Sequence, residues 1–91
     1  MRNKKYYLIK CTVSVAPKVF DNKLTFRVKI KIKRKNGESF SLNEAIEYFL
    51  KTQKIVFSFI KNGKIKQKKT RLSNFVKSEH FRSINFDIYK V

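Results

Sequence analysis

The sequence predicts an α+β domain: an antiparallel sheet of about five strands with one firm helix packed on one face, in the order β-β-α-β-β-(α)-β. Three observations predict it. Apolar residues alternate with polar ones through most of residues 5–33. The period then becomes helical behind a Ser-x-x-Glu cap at Ser41. Two Asn-Gly pairs, Asn36-Gly37 and Asn62-Gly63, punctuate the chain as turns.

A first strand is expected from about Lys5 to Val15. Tyr7, Ile9, Cys11, Val13 and Val15 share one face, with Lys10, Thr12 and Ser14 on the other. A loop holding Pro17 comes next, from Ala16 to Asn22. The second strand is the most regular segment: Leu24, Phe26, Val28, Ile30 and Ile32 face one way, Thr25, Arg27, Lys29, Lys31 and Lys33 the other. A sheet packed on one side and wet on the other produces this pattern. Its cations stand about 6.6 Å apart at a rise of about 3.3 Å per residue, close to the separation of successive phosphates on a nucleic-acid strand.

Ser41-Leu42-Asn43-Glu44 matches a capping box, in which hydroxyl and carboxylate satisfy the first free N–H groups of a helix. Leu42, Ala45, Ile46, Phe49 and Leu50 then recur at i, i+3, i+4, i+7 and i+8, which predicts an amphipathic helix over about Leu42 to Thr52. Ile55 to Ile60 is apolar on both faces, the pattern of a central strand. Lys61-Asn62-Gly63-Lys64 closes a type I′ hairpin, and Lys64 to Leu72 returns as a lysine-rich edge. Ser73 is a candidate cap for a short helix holding Phe75 and Val76. Ile84, Phe86 and Ile88 alternate with polar residues in a last strand. The alternative fold is winged-helix-like, with the Lys54–Leu72 hairpin as the wing; it needs a recognition helix after a first one.

Ninety-one residues fit one domain, read as a single nucleic-acid-binding domain over 1–91. Charge is the outlier, because 23 Lys and Arg against six acids give a formal net charge of +17. A polyanionic partner would relieve that self-repulsion. Seven cations and no acid lie between Asp21 and Glu38, and nine cations and no acid between Glu47 and Glu79. Such segregation is the electrostatic footprint of nucleic-acid binding. The 18 Lys against five Arg favour backbone contact over dense base readout.

The residues expected to contact nucleic acid are Arg27, Lys29, Lys31 and Lys33 on the second strand, and Lys61, Asn62, Lys64, Lys66, Lys68 and Arg71 on the hairpin. The hairpin tip suits a groove, since two-stranded ribbons fit the major groove of B-DNA. DNA is therefore favoured over RNA. Arg27, Arg71 and Asn62 are the candidates for base readout, and a homodimer would add to it. Tyr6, Tyr48 and Tyr89 lie off the apolar phases and are candidates for base stacking.

Little points to catalysis. His80 is the one histidine, Glu44 and Glu47 sit on the helix, where Glu44 already serves a cap, and Asp21 and Asp87 have no carboxylate neighbour in sequence. No metal site, cofactor or catalytic residue is expected, and Gly37 and Gly63 belong to turns rather than to a phosphate-binding loop. Cys11 is alone, so no internal disulfide is available. Met-Arg-Asn-Lys-Lys resembles a signal n-region, but Lys10, Thr12 and Ser14 interrupt the apolar segment behind it, and no stretch is apolar enough to span a bilayer. The expectation is a cytoplasmic protein with no membrane partner.

The strand–strand–helix–strand–hairpin order with its long basic second strand resembles, in topology and over residues 5–80, part of the half-domain of LAGLIDADG homing endonucleases. The motif helix that supplies that family's metal-binding acid is missing, so the resemblance implies a sheet lying on DNA without cleavage. A second functional reading is a small phage or mobile-element inhibitor or accessory protein. Such a protein would act on a host nucleoprotein complex, such as a CRISPR effector, through a protein partner.

Overall fold

The computed structural model describes residues 4–21 and 23–91. Most of the signal-like n-region, Met1 to Asn3, and the loop end at Asn22 lie outside the described residues. The strands are β1 (Tyr6–Val15), β2 (Lys23–Lys31), β3 (Lys54–Lys61), β4 (Lys64–Arg71) and β5 (Phe81–Lys90). The helices are α1 (Leu42–Thr52) and α2 (Leu72–Phe75). Class and element order are those the sequence predicts. The winged-helix alternative is not adopted: among the described residues α1 and α2 are the only helices, and none stands between α1 and the hairpin to act as a recognition helix.

The five strands divide between two antiparallel sheets, one of three strands in the order β2-β1-β5 and one formed by the β3–β4 hairpin. Ile55–Ile60 is therefore not central in a five-stranded sheet. Ile55, Phe57 and Phe59 on one face are buried, whereas Val56 and Ile60 on the other are about half exposed. One edge of β3 pairs with β4, and the β1–β2 loop closes part of the other: Val19 bridges Phe59, the Phe20 N–H donates to the Ser58 carbonyl, and the Ile60 N–H donates to the Lys18 carbonyl, both at 3.0 Å. That loop is the joint between the sheets.

In the three-stranded sheet Cys11 pairs with Phe26 on one side and Phe86 on the other. A small side chain between two large ones leaves space over the central strand, and Phe49 of α1 fills it. Its ring meets Phe26 at 6.3 Å and Phe86 at 6.1 Å, both edge to face. Ser41 and Glu44 form the predicted capping box, and α1 begins and ends at the expected residues. Ala45 and Phe49 are buried, while Leu42 and Tyr48 are about half exposed.

The hairpin is packed differently. Ile55, Phe57 and Phe59 are buried on one face. Phe75 of α2 stands edge-on to Phe57 at 4.9 Å, and the His80 ring lies 4.5 Å from Phe59. Arg71, not Ser73, occupies the N-cap of α2 and gives no side-chain cap; burial of Leu72 and Phe75 holds this short helix instead. Asn62 and Gly63 both have positive φ, 51° and 71°, as a type I′ turn requires. One continuous core joins both sheets. The molecule measures 56 × 24 × 15 Å with a radius of gyration of 15.5 Å, against about 12 Å for a compact chain of this length. A ten-residue strand spans about 33 Å, so the hairpin extends the fold lengthwise. Neither helix is long and apolar enough to cross a membrane.

Candidate nucleic-acid interface

The predicted contact residues fall into two groups. Arg27, Lys29 and Lys31 are exposed on the outer face of the three-stranded sheet, away from α1. Lys33 continues the same phase just beyond β2, where it bridges Ser39 at the turn. The other six belong to the hairpin. Lys61, Asn62 and Lys64 form its tip, Lys66 pairs with Phe59, Lys68 with Phe57, and Arg71 with Lys54. Lys64, Lys66 and Lys68 thus share one face of β4, and Arg71 lies on the opposite one with Lys69. All ten are exposed.

On the sheet the register builds rows across the outer face. Lys31 lies beside Tyr6; Lys29, Leu8 and Tyr89 form the next row; Arg27, Lys10 and Asp87 the one after. Lys10 joins the predicted set here because β1 is the central strand. Its only sequence signal is its place on the polar phase. The Lys29 Nζ stands 6.0 Å from the centre of the Tyr6 ring, and the Lys10 Nζ 5.6 Å from that of Tyr89. The Tyr89 hydroxyl donates to the Asp87 carboxylate at 2.7 Å, which holds the phenol above its ordinary pKa.

Of the three tyrosines read as stacking candidates, Tyr6 and Tyr89 share this face. Tyr48 instead packs against Phe40 at 5.6 Å. Arg34 is withdrawn from the basic surface as well: its guanidinium lies 4.1 Å over the Phe40 ring and pairs with Glu44. Glu44 is held below the usual carboxylate range by the Ser41 N–H and hydroxyl, then by Arg34. Among the described residues this is the only ion pair between a Lys or Arg and a carboxylate; His80 and Glu79 lie 3.9 Å apart and pair only when the imidazole is protonated. The remaining described cations stand free of carboxylate partners.

Near the hairpin tip an open cleft of about 520 Å³ lies between the β1–β2 loop, the tip and the start of β5. Lys18 and Arg82 line it together with Lys61 and Asn62. Neither Lys18 nor Arg82 stands out in sequence, because only the tertiary fold brings them to the tip. His80, beside them, is engaged by Phe57 and Phe59. Among the described residues no group of three or more His, Cys, Asp or Glu side chains is placed to hold a metal ion. Burial pushes the Cys11 thiol up to about 11. No protein-family model, curated protein or solved structure matches the chain.

Proposed function

We propose that this chain is a small non-enzymatic nucleic-acid-binding module, with DNA favoured over RNA. It would contact phosphates through the outer face of its three-stranded sheet and through the β3–β4 hairpin. The observation that carries this reading is the run from Ile60 to Lys69. Ten consecutive residues are exposed, they include Lys61, Lys64, Lys66, Lys68 and Lys69, and no acid interrupts them. A two-stranded ribbon with this charge fits the B-DNA major groove, whereas the deep, narrow groove of A-form RNA excludes it.

Fluorescence anisotropy against duplex DNA, single-stranded DNA and duplex RNA at several salt concentrations tests the reading. With about five or six phosphates neutralised, log K falls against log salt with a slope near −5 on duplex DNA. Replacing Arg27, Lys29 and Lys31 together by Ala makes the slope shallower by about 2 to 3, and so does replacing Lys64, Lys66 and Lys68. A wild-type slope shallower than about −2 would overturn the sheet-wide interface.

One observation favours a second reading, an accessory or inhibitory protein acting on a nucleoprotein complex. Val56, Ile60 and Ile65 are exposed on the hairpin face opposite Phe57 and Phe59, and the loop places exposed Phe20 beside Ser58 on that face. Apolar side chains grouped in this way suit a protein partner. Retention of a defined nucleoprotein complex after nuclease digestion would select this reading, and loss of the complex on digestion would select the first.

A further inference from the structure

The outer face of the three-stranded sheet is more than a row of lysines. Tyr6 is 38% exposed and Tyr89 48% exposed, and in the row of Tyr89 sits Leu8, a leucine on the solvent-facing phase that is only 8% exposed. A face kept only for solubility would hold a polar residue at that position. Here Lys29 on one side and Tyr89 on the other wall Leu8 in. The result is an apolar, aromatic floor bordered by Lys10, Arg27, Lys29 and Lys31.

We propose that this floor is a platform for single-stranded nucleic acid, with bases stacking on Tyr6 and Tyr89 and the flanking phosphates held by Lys10, Arg27, Lys29 and Lys31. The proposal rests on the nucleic-acid reading above and names the form of nucleic acid that this face takes. Because Leu8 pairs with Tyr89, Tyr6 and Tyr89 are diagonal neighbours, about 7–8 Å apart along the sheet. That separation suits two successive unstacked bases of an extended strand. A lysine ammonium already stands over each ring, at 6.0 Å for Tyr6 and 5.6 Å for Tyr89. A base arriving on the ring therefore brings its phosphate to a cation that needs only to swing aside. The Asp87 carboxylate fixes the Tyr89 hydroxyl, so little ring freedom remains to be lost. A duplex meets only the cations of this face, because its base faces are covered by one another.

The test uses the full chain with four probes: a thymidine ten-mer, a uridine ten-mer, an abasic ten-mer with the same phosphates, and duplex DNA. The thymidine or uridine strand is expected to bind about tenfold or more tightly than the abasic strand, and the two arms tell DNA from RNA. The double variant Tyr6→Ala/Tyr89→Ala should bind thymidine no better than abasic strand, with duplex affinity changed by less than about twofold. Tyr6→Phe/Tyr89→Phe keeps the preference, since stacking needs the ring and not the hydroxyl. The chain has four Tyr and no Trp, so quenching of tyrosine emission reports stacking directly. Equal binding of base-bearing and abasic strands by the wild type overturns the platform without needing any variant, and duplex binding in the same series would leave the broader reading standing. Failure of all four probes overturns both.

Discussion

In β2 every second residue, Leu24, Phe26, Val28 and Ile30, turns toward the core and leaves the cations on one face. In β4 none of the eight residues is buried, and cations stand on both faces. Both strands are rich in lysine, so charge alone does not distinguish them. What differs is the support. β2 is held by side chains, through the row Phe26–Cys11–Phe86 beneath Phe49. β4 is held chiefly by its backbone ladder to β3 and by the turn at Asn62-Gly63. A basic strand can thus be a rigid wall or an exposed edge, and the alternation of its apolar residues decides which.

The comparison can be broken by mutation, beginning with the core. Phe49→Ala removes the ring that joins β2 and β5 to the helix and should cost about 3–5 kcal/mol in urea unfolding. A loss below about 1 kcal/mol would mean that β2 stands without side-chain support.

The next effect concerns pH. The Cys11 thiol has a folded-state pKa raised to about 11 from an ordinary 9.0 because it is buried. Its neutral form stabilises the fold at pH values below the unfolded pKa, and that contribution is lost as pH rises through the folded one, a total of about 2–3 kcal/mol. The measurement is the difference in unfolding midpoint between wild type and Cys11→Ala across about pH 8 to 11. Parallel profiles would show that water reaches the thiol. As the counterpart on β4, Ile65→Cys should react with iodoacetamide as an ordinary thiol with the unshifted pKa of 9.0.

Gly63→Ala sharpens the view of the hairpin. Nothing lies within 4 Å of the added Cβ, so its cost comes from the backbone φ of +71° alone, about 1 kcal/mol. Faster hydrogen exchange confined to β3 and β4 is the expected readout. Smallest of all, Ile65→Ala on the 71% exposed side chain should change stability by less than about 0.5 kcal/mol. A larger loss would mean that the open face of the hairpin is covered in solution.

The contrast between β2 and β4 also separates what could be read in the sequence from what could not. Local chemistry was legible: the Ser41–Glu44 box, the helix from Leu42 to Thr52 and the Asn62-Gly63 turn depend on neighbours only a few residues apart. The division into two sheets was not. An apolar run such as Ile55–Ile60 is equally suited to a central strand and to one whose far edge is met by a loop, and no composition marks Val19 as its partner. The predicted contact residues are exposed as expected, but their division between two sheets comes from that same pairing. Lys10, Lys18 and Arg82 join them only through tertiary neighbours. Arg34 leaves the basic surface because it stacks on Phe40, six residues away, and pairs with Glu44 on the helix. Leu8 carries no sequence signal for a related reason: its neighbours on the outer face, Lys29 and Tyr89, come from adjacent strands.

The joint at Val19 has a mechanical consequence. It ties the middle of β3 to the chain emerging from β1, the central strand of the other sheet, through one bridge made by two backbone hydrogen bonds. A load applied to the hairpin tip is carried by the Phe20 and Ile60 amides together with the core that joins the two sheets. Hydrogen bonds of this kind contribute about 1 kcal/mol each. The exchange rates of those two amides therefore report how firmly the hairpin is held to the three-stranded sheet.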